Sequence, residues 1–210
     1  MEDPLCKAAY DPGLRLIETL PWDGTRLLRL DRHLARLACG AARLGWRCEG
    51  AAKALREAVP DGPARMRLTL DSEGRIEVEA APLPPVKPLW RLGLAGERLW
   101  SADPWLGVKS TRRGAYDRAR AALPAGLDEV VLLNERGEVC DGTITTLFFD
   151  AGEGLCTPPL SCGLLPGILR ADMLDSGACR EAVLPGAALP RVRLWVGNSV
   201  RGLNPAVWSI

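Results

Sequence analysis

Four prolines fall within seven residues in Pro82-Leu83-Pro84-Pro85-Val86-Lys87-Pro88. Proline lacks an amide proton and fixes φ near −65°, so this stretch continues neither a helix nor a central strand. It divides the chain into a small N-terminal domain over residues 1–82, a linker over 83–90 and a larger domain over 91–210. A rigid surface loop is the plainer alternative for the prolines. At 210 residues the chain is long enough to bury its cores without disulfides or metals.

The part before the prolines reads as an α+β unit. Residues 14–20 predict a strand, Asp23-Gly24 a hairpin turn, and residues 25–30 the return strand. Asp31 is placed to cap a helix over 32–44, where Leu34, Leu37, Ala38, Ala41 and Leu44 recur at helical spacing and Gly45 stops the run. A shorter helix is expected over 51–59. Residues 64–70 alternate with period two, residues 71–74 turn the chain, and 75–80 return. Beyond the prolines, the pattern predicts a helix over 112–123, strands over 129–134, 144–149 and 192–196, a short extended piece at 155–157, and a helix from Pro166 or Gly167 to about Asp175.

Composition removes several function classes. Lys plus Arg is 27 and Asp plus Glu is 26, a net charge of +1, which argues against a nucleic-acid or membrane-surface partner. No apolar run approaches the ~20 residues of a membrane helix. Met1-Glu2-Asp3-Pro4 has no apolar segment of a signal peptide behind it. Seven cysteines (Cys6, Cys39, Cys48, Cys140, Cys156, Cys162, Cys179) form no C-x-x-C pair, so they read as free thiols in a cytoplasmic setting. His33 is the sole histidine, which rules out a multi-histidine metal site in one chain. With histidine the commonest general base, proton chemistry here falls to another group.

Three segments carry candidate chemistry. The chain has 23 Arg and four Lys (Lys7, Lys53, Lys87, Lys109). Where Arg is the default cation, a retained Lys points to a role that needs loss of a proton. Lys109, in Gly107-Val108-Lys109-Ser110-Thr111-Arg112-Arg113, has neighbouring cations that would help make it a nucleophile. Asp141 precedes a strand and could partner a buried cation. Gly163-Leu164-Leu165-Pro166-Gly167-Ile168 delivers the chain into a helix N-terminus, a site suited to a phosphate. Each has a plain structural counterpart: a solvated basic cluster, a turn aspartate, and an ordinary loop-to-helix junction.

Taken together, in this order, the segments resemble the class IV aminotransferase family, from about Leu14 to Pro205. Lys109-Ser110-Thr111 resembles the family's Schiff-base lysine motif. Residues 133–143, LNERGEVCDGT, resemble its "NE-x-G-x-V-x-EG-T" signature, and residues 157–170, TPPLSCGLLPGILR, its "TPPL…G-LPG-x-x-R" signature. Residues 197–205, GNSVRGLNP, are similar to the late "NS-x-RG-x-x-P" motif. Arg36, in His33-Leu34-Ala35-Arg36-Leu37, matches the "H-x-x-RL" arginine.

The resemblance implies a two-domain α+β fold of the fold-type IV, D-amino acid aminotransferase-like kind, a homodimer, a small-molecule substrate, and pyridoxal 5'-phosphate in the interdomain cleft. It implies that Lys109 holds the cofactor covalently and moves the substrate proton, and that Asp141 keeps the pyridine nitrogen protonated. Arg36, the amides of Gly167 and Ile168, and Ser199 would hold the phosphate. His33 is expected to be structural. The chain departs from the family at Asp141, where Glu is usual, at Leu169, where Thr is frequent, and at Thr146, where Asn is usual. Residues 162–167 and 198–203 resemble the family's 4-amino-4-deoxychorismate lyases, which release pyruvate and leave 4-aminobenzoate for folate synthesis. Two alternatives are a transaminase for branched-chain or D-amino acids, although the "H-x-x-x-YG" entry is lacking, and a catalytically weak or silent relative.

Overall fold

The structure is a computed structural model that describes residue 5 and residues 11–209. The expectations that rest on Met1–Pro4, Cys6 and Lys7 lie outside the described residues. The chain forms two compact units. One comprises the residues up to Pro85 together with Val108–Arg112, and the other comprises Val86–Gly107 and the residues from Arg113 onward. The Lys109 segment is thus carried by the N-terminal unit, a return that a boundary drawn along the sequence does not include.

In the first unit, strands β1 (Leu16–Trp22), β2 (Ala64–Leu70) and β3 (Ile76–Ala81) form an antiparallel sheet in that order. β1 pairs with β2 from Leu16↔Leu70 to Trp22↔Ala64. β2 alternates as expected, burying Ala64, Met66, Leu68 and Leu70. Asp71 closes the β2–β3 turn by accepting the Glu73 and Arg75 amides, each at 2.9 Å. The other edge of β1 takes the Lys109 segment. Ile17 donates to the Lys109 carbonyl at 2.9 Å, and the Thr111 amide donates to the Arg15 carbonyl at 2.8 Å.

Helix α1 (Leu30–Leu44) buries His33, Leu37, Ala41 and Leu44, and Gly40 lies against Leu16. α2 (Ala51–Glu57) follows. The return strand over 25–30 is reduced to a single antiparallel bridge, Trp22↔Leu27, with the Leu28 amide donating to the Pro21 carbonyl at 3.0 Å. Asp23 Oδ1 gathers the Thr25 amide, the Thr25 hydroxyl and the Arg26 amide at 2.7–2.8 Å, curling the chain into a tight turn. Asp31 is not the cap. Arg29, in left-handed backbone at φ 55°, occupies that position, and Asp31 sits in the first helical turn, where its charge suits the dipole.

In the second unit the strands are β4 (Trp90–Leu99), β5 (Glu129–Asn134), β6 (Val139–Gly142), β7 (Thr146–Asp150), β8 (Cys156–Thr157), β9 (Arg180–Glu181), β10 (Arg193–Asn198) and β11 (Gly202–Trp208). They form one mixed sheet in the order β6-β5-β4-β11-β10-β7-β8-β9. β4 runs parallel to both β5 and β11. Helices α3 (Gly114–Ala121) and α4 (Ile168–Asp175) belong to this unit. β5 is buried throughout because both faces of the sheet are covered. Val131 and Leu133 join Trp90, Leu92, Leu147 and Val196 on one side. Val130 and Leu132 join Ala95, Leu99, Cys140 and Leu164 on the other, where Ala115 and Tyr116 of α3 pack. No helix among the described residues is long and apolar enough to cross a membrane.

Candidate active site

The six residues singled out in the sequence divide between the units. Lys109 and Arg36 belong to the first, and Asp141, Gly167, Ile168 and Ser199 to the second.

In the first unit, the strand-like pairing of the Lys109 segment with β1 places that lysine's backbone against Ile17. The next residue, Glu18, is almost fully buried. Its carboxylate accepts from Arg36 Nε at 2.8 Å and from an Arg36 Nη at 2.6 Å, and His33 Nδ1 lies 2.6 Å away. Burial opposes ionisation of Glu18, but the bonds from His33 and Arg36 outweigh it and hold the carboxyl below its ordinary range. Burial lowers the His33 pKa despite the Glu18 bond, and the charges of Arg36 and Lys109 push it further down. The consistent assignment is an ionised Glu18 paired with Arg36, and a neutral His33 whose Nδ1–H donates to it. Arg36 is thereby oriented by a two-point grip. His33 packs in the core and also feels the charge of Lys109.

In the second unit, three loops are tied together. β6 pairs with β5 at Leu133↔Val139 and at Val131↔Gly142, so three steps on β6 match two on β5. This bulge sets Cys140 and Asp141 jointly opposite Leu132, and so re-aims Asp141. The turn that follows is wrapped over the buried carboxylate of Glu129. That carboxylate accepts the Thr143 hydroxyl, the Ile144 amide at 3.1 Å, the Thr145 hydroxyl at 3.0 Å and the Val130 amide at 3.1 Å. Gly142 closes in so tightly that a Cβ would stand 3.0 Å from the Glu129 side chain and 2.6 Å from Thr145 Oγ1. Outside the turn, Arg113 donates to the Thr143 carbonyl at 2.7 Å.

Asn198 joins this turn to the next loop. Its Nδ2 donates to the Ile144 carbonyl at 3.0 Å, while its Oδ1 accepts the Val200 and Arg201 amides at 3.0 and 2.9 Å. Ser199, itself buried, sits between those anchors. The third loop enters α4 at Gly167, which has extended backbone and no side-chain cap. A Cβ on Gly167 would lie 2.7 Å from Thr146 Oγ1, so glycine is required for this approach. The helix start therefore presents backbone amides and no acidic side chain in its first turn, an arrangement suited to an anion.

The rest of the signature residues build the frame. Asn134 Oδ1 accepts the Arg136 and Glu138 amides at 2.9 and 3.0 Å, and its Nδ2 reaches the Cys162 carbonyl at 3.0 Å. Arg136 and Asn134 hold Glu138 down to about 2. Arg170 is buried on the Pro158 carbonyl and Glu181. Leu169 points into a core formed with Phe148 and Cys179, against Gly197. No motif in the sequence points to Glu18 or Glu129. Both are carboxylates in otherwise apolar strands, and their partners lie far along the chain.

The sequence profile of the amino-transferase class IV family matches residues 15–207. A proposed aminodeoxychorismate lyase of Schizosaccharomyces pombe (strain 972 / ATCC 24843) is 31% identical over 175 residues, covering 79% of this chain and 75% of that protein. The crystal structure of a proposed amino-acid aminotransferase from Mesorhizobium loti is 45% identical with a TM-score of 0.89, covering 93% of this chain and 100% of that one. The crystal structure of 4-amino-4-deoxychorismate lyase from Pseudomonas aeruginosa is 25% identical with a TM-score of 0.77, covering 99% of this chain and 87% of that one. The mixed fold described above is that of class IV aminotransferase structures.

Proposed function

The chain belongs to the class IV aminotransferase family of pyridoxal-phosphate-dependent enzymes, and on that premise we propose that it is a 4-amino-4-deoxychorismate lyase acting in 4-aminobenzoate and folate synthesis. The observation that carries the cofactor assignment is the second unit's cluster. An aspartate re-aimed by a bulge, an uncapped helix start backed by Thr146, and the Ser199 loop are fastened to one another. An acid, a set of backbone amides and a hydroxyl are what a protonated pyridine ring and a phosphate ester require. The donor set fits the group.

When bound, pyridoxal phosphate supplies an electron sink for cleavage beside the carbon bearing the substrate's amine. Lys109 would hold the cofactor and take up the substrate proton, and Asp141 would keep the ring nitrogen protonated. The Gly167 and Ile168 amides, Arg36 and Ser199 would hold the phosphate. Glu18 fixes the plane of the Arg36 guanidinium for that purpose. The lyase reading is supported by the likeness of residues 162–167 and 198–203 to the lyases, and by the relatives named for that activity. The second reading, an amino-acid transaminase, draws on the name of the Mesorhizobium loti structure. There Lys109 would return the proton instead of letting pyruvate leave. By family likeness the active assembly is a cytoplasmic homodimer, which light scattering of the purified protein tests.

The deciding experiment supplies 4-amino-4-deoxychorismate and pyridoxal phosphate with no 2-oxo acid. The lyase releases pyruvate and 4-aminobenzoate in equal amounts, whereas a transaminase is silent until a 2-oxo acid is added. Lys109→Ala is expected to lower turnover by about 10⁴-fold or more and to remove the visible band that borohydride fixes to the protein. Retained turnover in that variant sinks the assignment of Lys109.

A further inference from the structure

α3 carries a hydroxyl that has no hydrogen-bond partner among the described residues. The Tyr116 ring packs on the core of Ala95, Leu99, Leu132 and Cys140, and the Arg113 guanidinium lies over it at 5.5 Å from the ring centre. The hydroxyl oxygen is sealed from solvent and makes no hydrogen bond among the described residues. Burying such a group unpaired costs roughly 1–3 kcal/mol. Phenylalanine would give the same packing without that cost. A tyrosine at this position makes physical sense if an acceptor reaches it in another state of the protein.

The bulge identifies that acceptor. Leu132 faces the α3 side of the sheet, and Cys140 and Asp141 stand together opposite it, so both fall on the face that α3 covers. Burial, followed by the charges of Asp141, Cys140 and Asp103, raises the Tyr116 pKa well above its usual value, with Arg113 opposing. The phenol therefore stays protonated and keeps a proton to donate. The Cys140 thiol is directed to the Cys162 carbonyl at 3.1 Å, and Asp103 accepts the Trp105 amide at 2.9 Å. Asp141 is the acceptor on that face whose carboxylate a ligand would draw and reorient.

We propose that Tyr116 is a positioning residue for Asp141, its hydroxyl held in reserve to donate to that carboxylate once a protonated ring nitrogen has drawn it into an ion pair. The inference rests on the cofactor reading above. The extra donor has a purpose here because Asp is one methylene shorter than the Glu usual at this position. A carboxylate with less reach gains from a second anchor that keeps it ionised and aimed.

The test uses the full chain and its Tyr116→Phe variant, with pyridoxal phosphate as the probe. Three quantities are read: the melting temperature without pyridoxal phosphate, its dissociation constant from the visible band, and the pH midpoint of that band. The variant is expected to melt at the same or a higher temperature, to bind pyridoxal phosphate about tenfold more weakly, and to show a lower pH midpoint. Replacing Asp141 with Glu in the Tyr116→Phe background is expected to recover much of the binding. Unchanged affinity and midpoint in Tyr116→Phe overturn the inference. So does a variant that melts several degrees lower without the cofactor, because the hydroxyl would then already be bonded. If the wild-type chain gives no visible band, the cofactor reading itself fails and takes this inference with it. A normal wild-type band with an indifferent variant removes this inference alone.

Discussion

Glu18 lies buried between a guanidinium and an imidazole, and its response to pH follows from that position. Its folded-state pKa is depressed, so the stability it contributes is present above its ordinary value of 4.5 and is lost as the pH falls. Removing one partner of a buried ion pair typically costs about 3–5 kcal/mol. Denaturant melts of Glu18→Gln are therefore expected to lie well below wild type at pH 7, with a gap that holds down to Glu18's ordinary value of 4.5 and narrows only below it. A gap that stays constant as the pH is taken well below 4.5 would mean Glu18 is not ionised in the fold. Lys109 stands out in the sequence as one of four lysines in an arginine-dominated chain and by its likeness to the family's lysine motif. Glu18 does not. In Leu16-Ile17-Glu18-Thr19-Leu20 a lone acid reads as the solvent-facing member of an alternating strand. β1 is covered by α1 and flanked by both β2 and the Lys109 segment, so that position is interior. Glu129 was hidden in the same way, since Thr143, Ile144 and Thr145 declare themselves as its partners only after the chain has turned back.

Among the elements, the start of α4 makes the sharpest prediction. Gly167→Ala puts a methyl group 2.7 Å from Thr146 Oγ1, a clash that either displaces the helix start or pushes Thr146 off its rotamer. Overpacking of this kind costs typically about 1–3 kcal/mol, and the affinity for pyridoxal phosphate should fall at least tenfold. Thr146→Ala removes the clashing oxygen, so the double variant should recover a large part of both stability and affinity. Additive losses in the double variant would show that the two residues do not share this contact. The elements that alternation or a clear stop announced, such as β2, β5 and α1, appear close to their expected bounds. β4 was missed because Gly93 and Gly96 interrupt its apolar pattern, and because its pairing with β5 shifts register between Leu94 and Arg98. β11 was missed because it contains Pro205. That proline is tolerated since the parallel pairing with β4 begins one residue later, at Ala206. The strand expected over 25–30 is cut to one bridge because α1 begins at Leu30, while the Asp23 bonds close the turn before it.

At the scale of the whole molecule, the chain forms two compact units and returns to the first after leaving it. Val108–Arg112 completes the first unit, so a fragment ending at Pro85 lacks the backbone partners of Arg15 and Ile17. Such a fragment is expected to melt broadly or not at all, and a synthetic peptide covering 108–112 with short flanks should sharpen its transition when added in excess. A fragment that already unfolds cooperatively and ignores the peptide would show that the segment is dispensable to the unit. Neither composition nor periodicity could reveal this arrangement, because five residues without an apolar pattern carry no sign of which sheet they will join. The return also has a consequence in time. Translation proceeds at about 5–20 residues per second, so the N-terminal sheet waits a few seconds with one edge bare until the stretch containing Lys109 leaves the ribosome. An exposed strand edge is an invitation to pair with a neighbouring nascent chain. The proposed catalytic lysine thus arrives on the piece of backbone that ends this exposure, and a ribosome stalled between Pro85 and Gly107 would produce a sticky product as well as an inactive one.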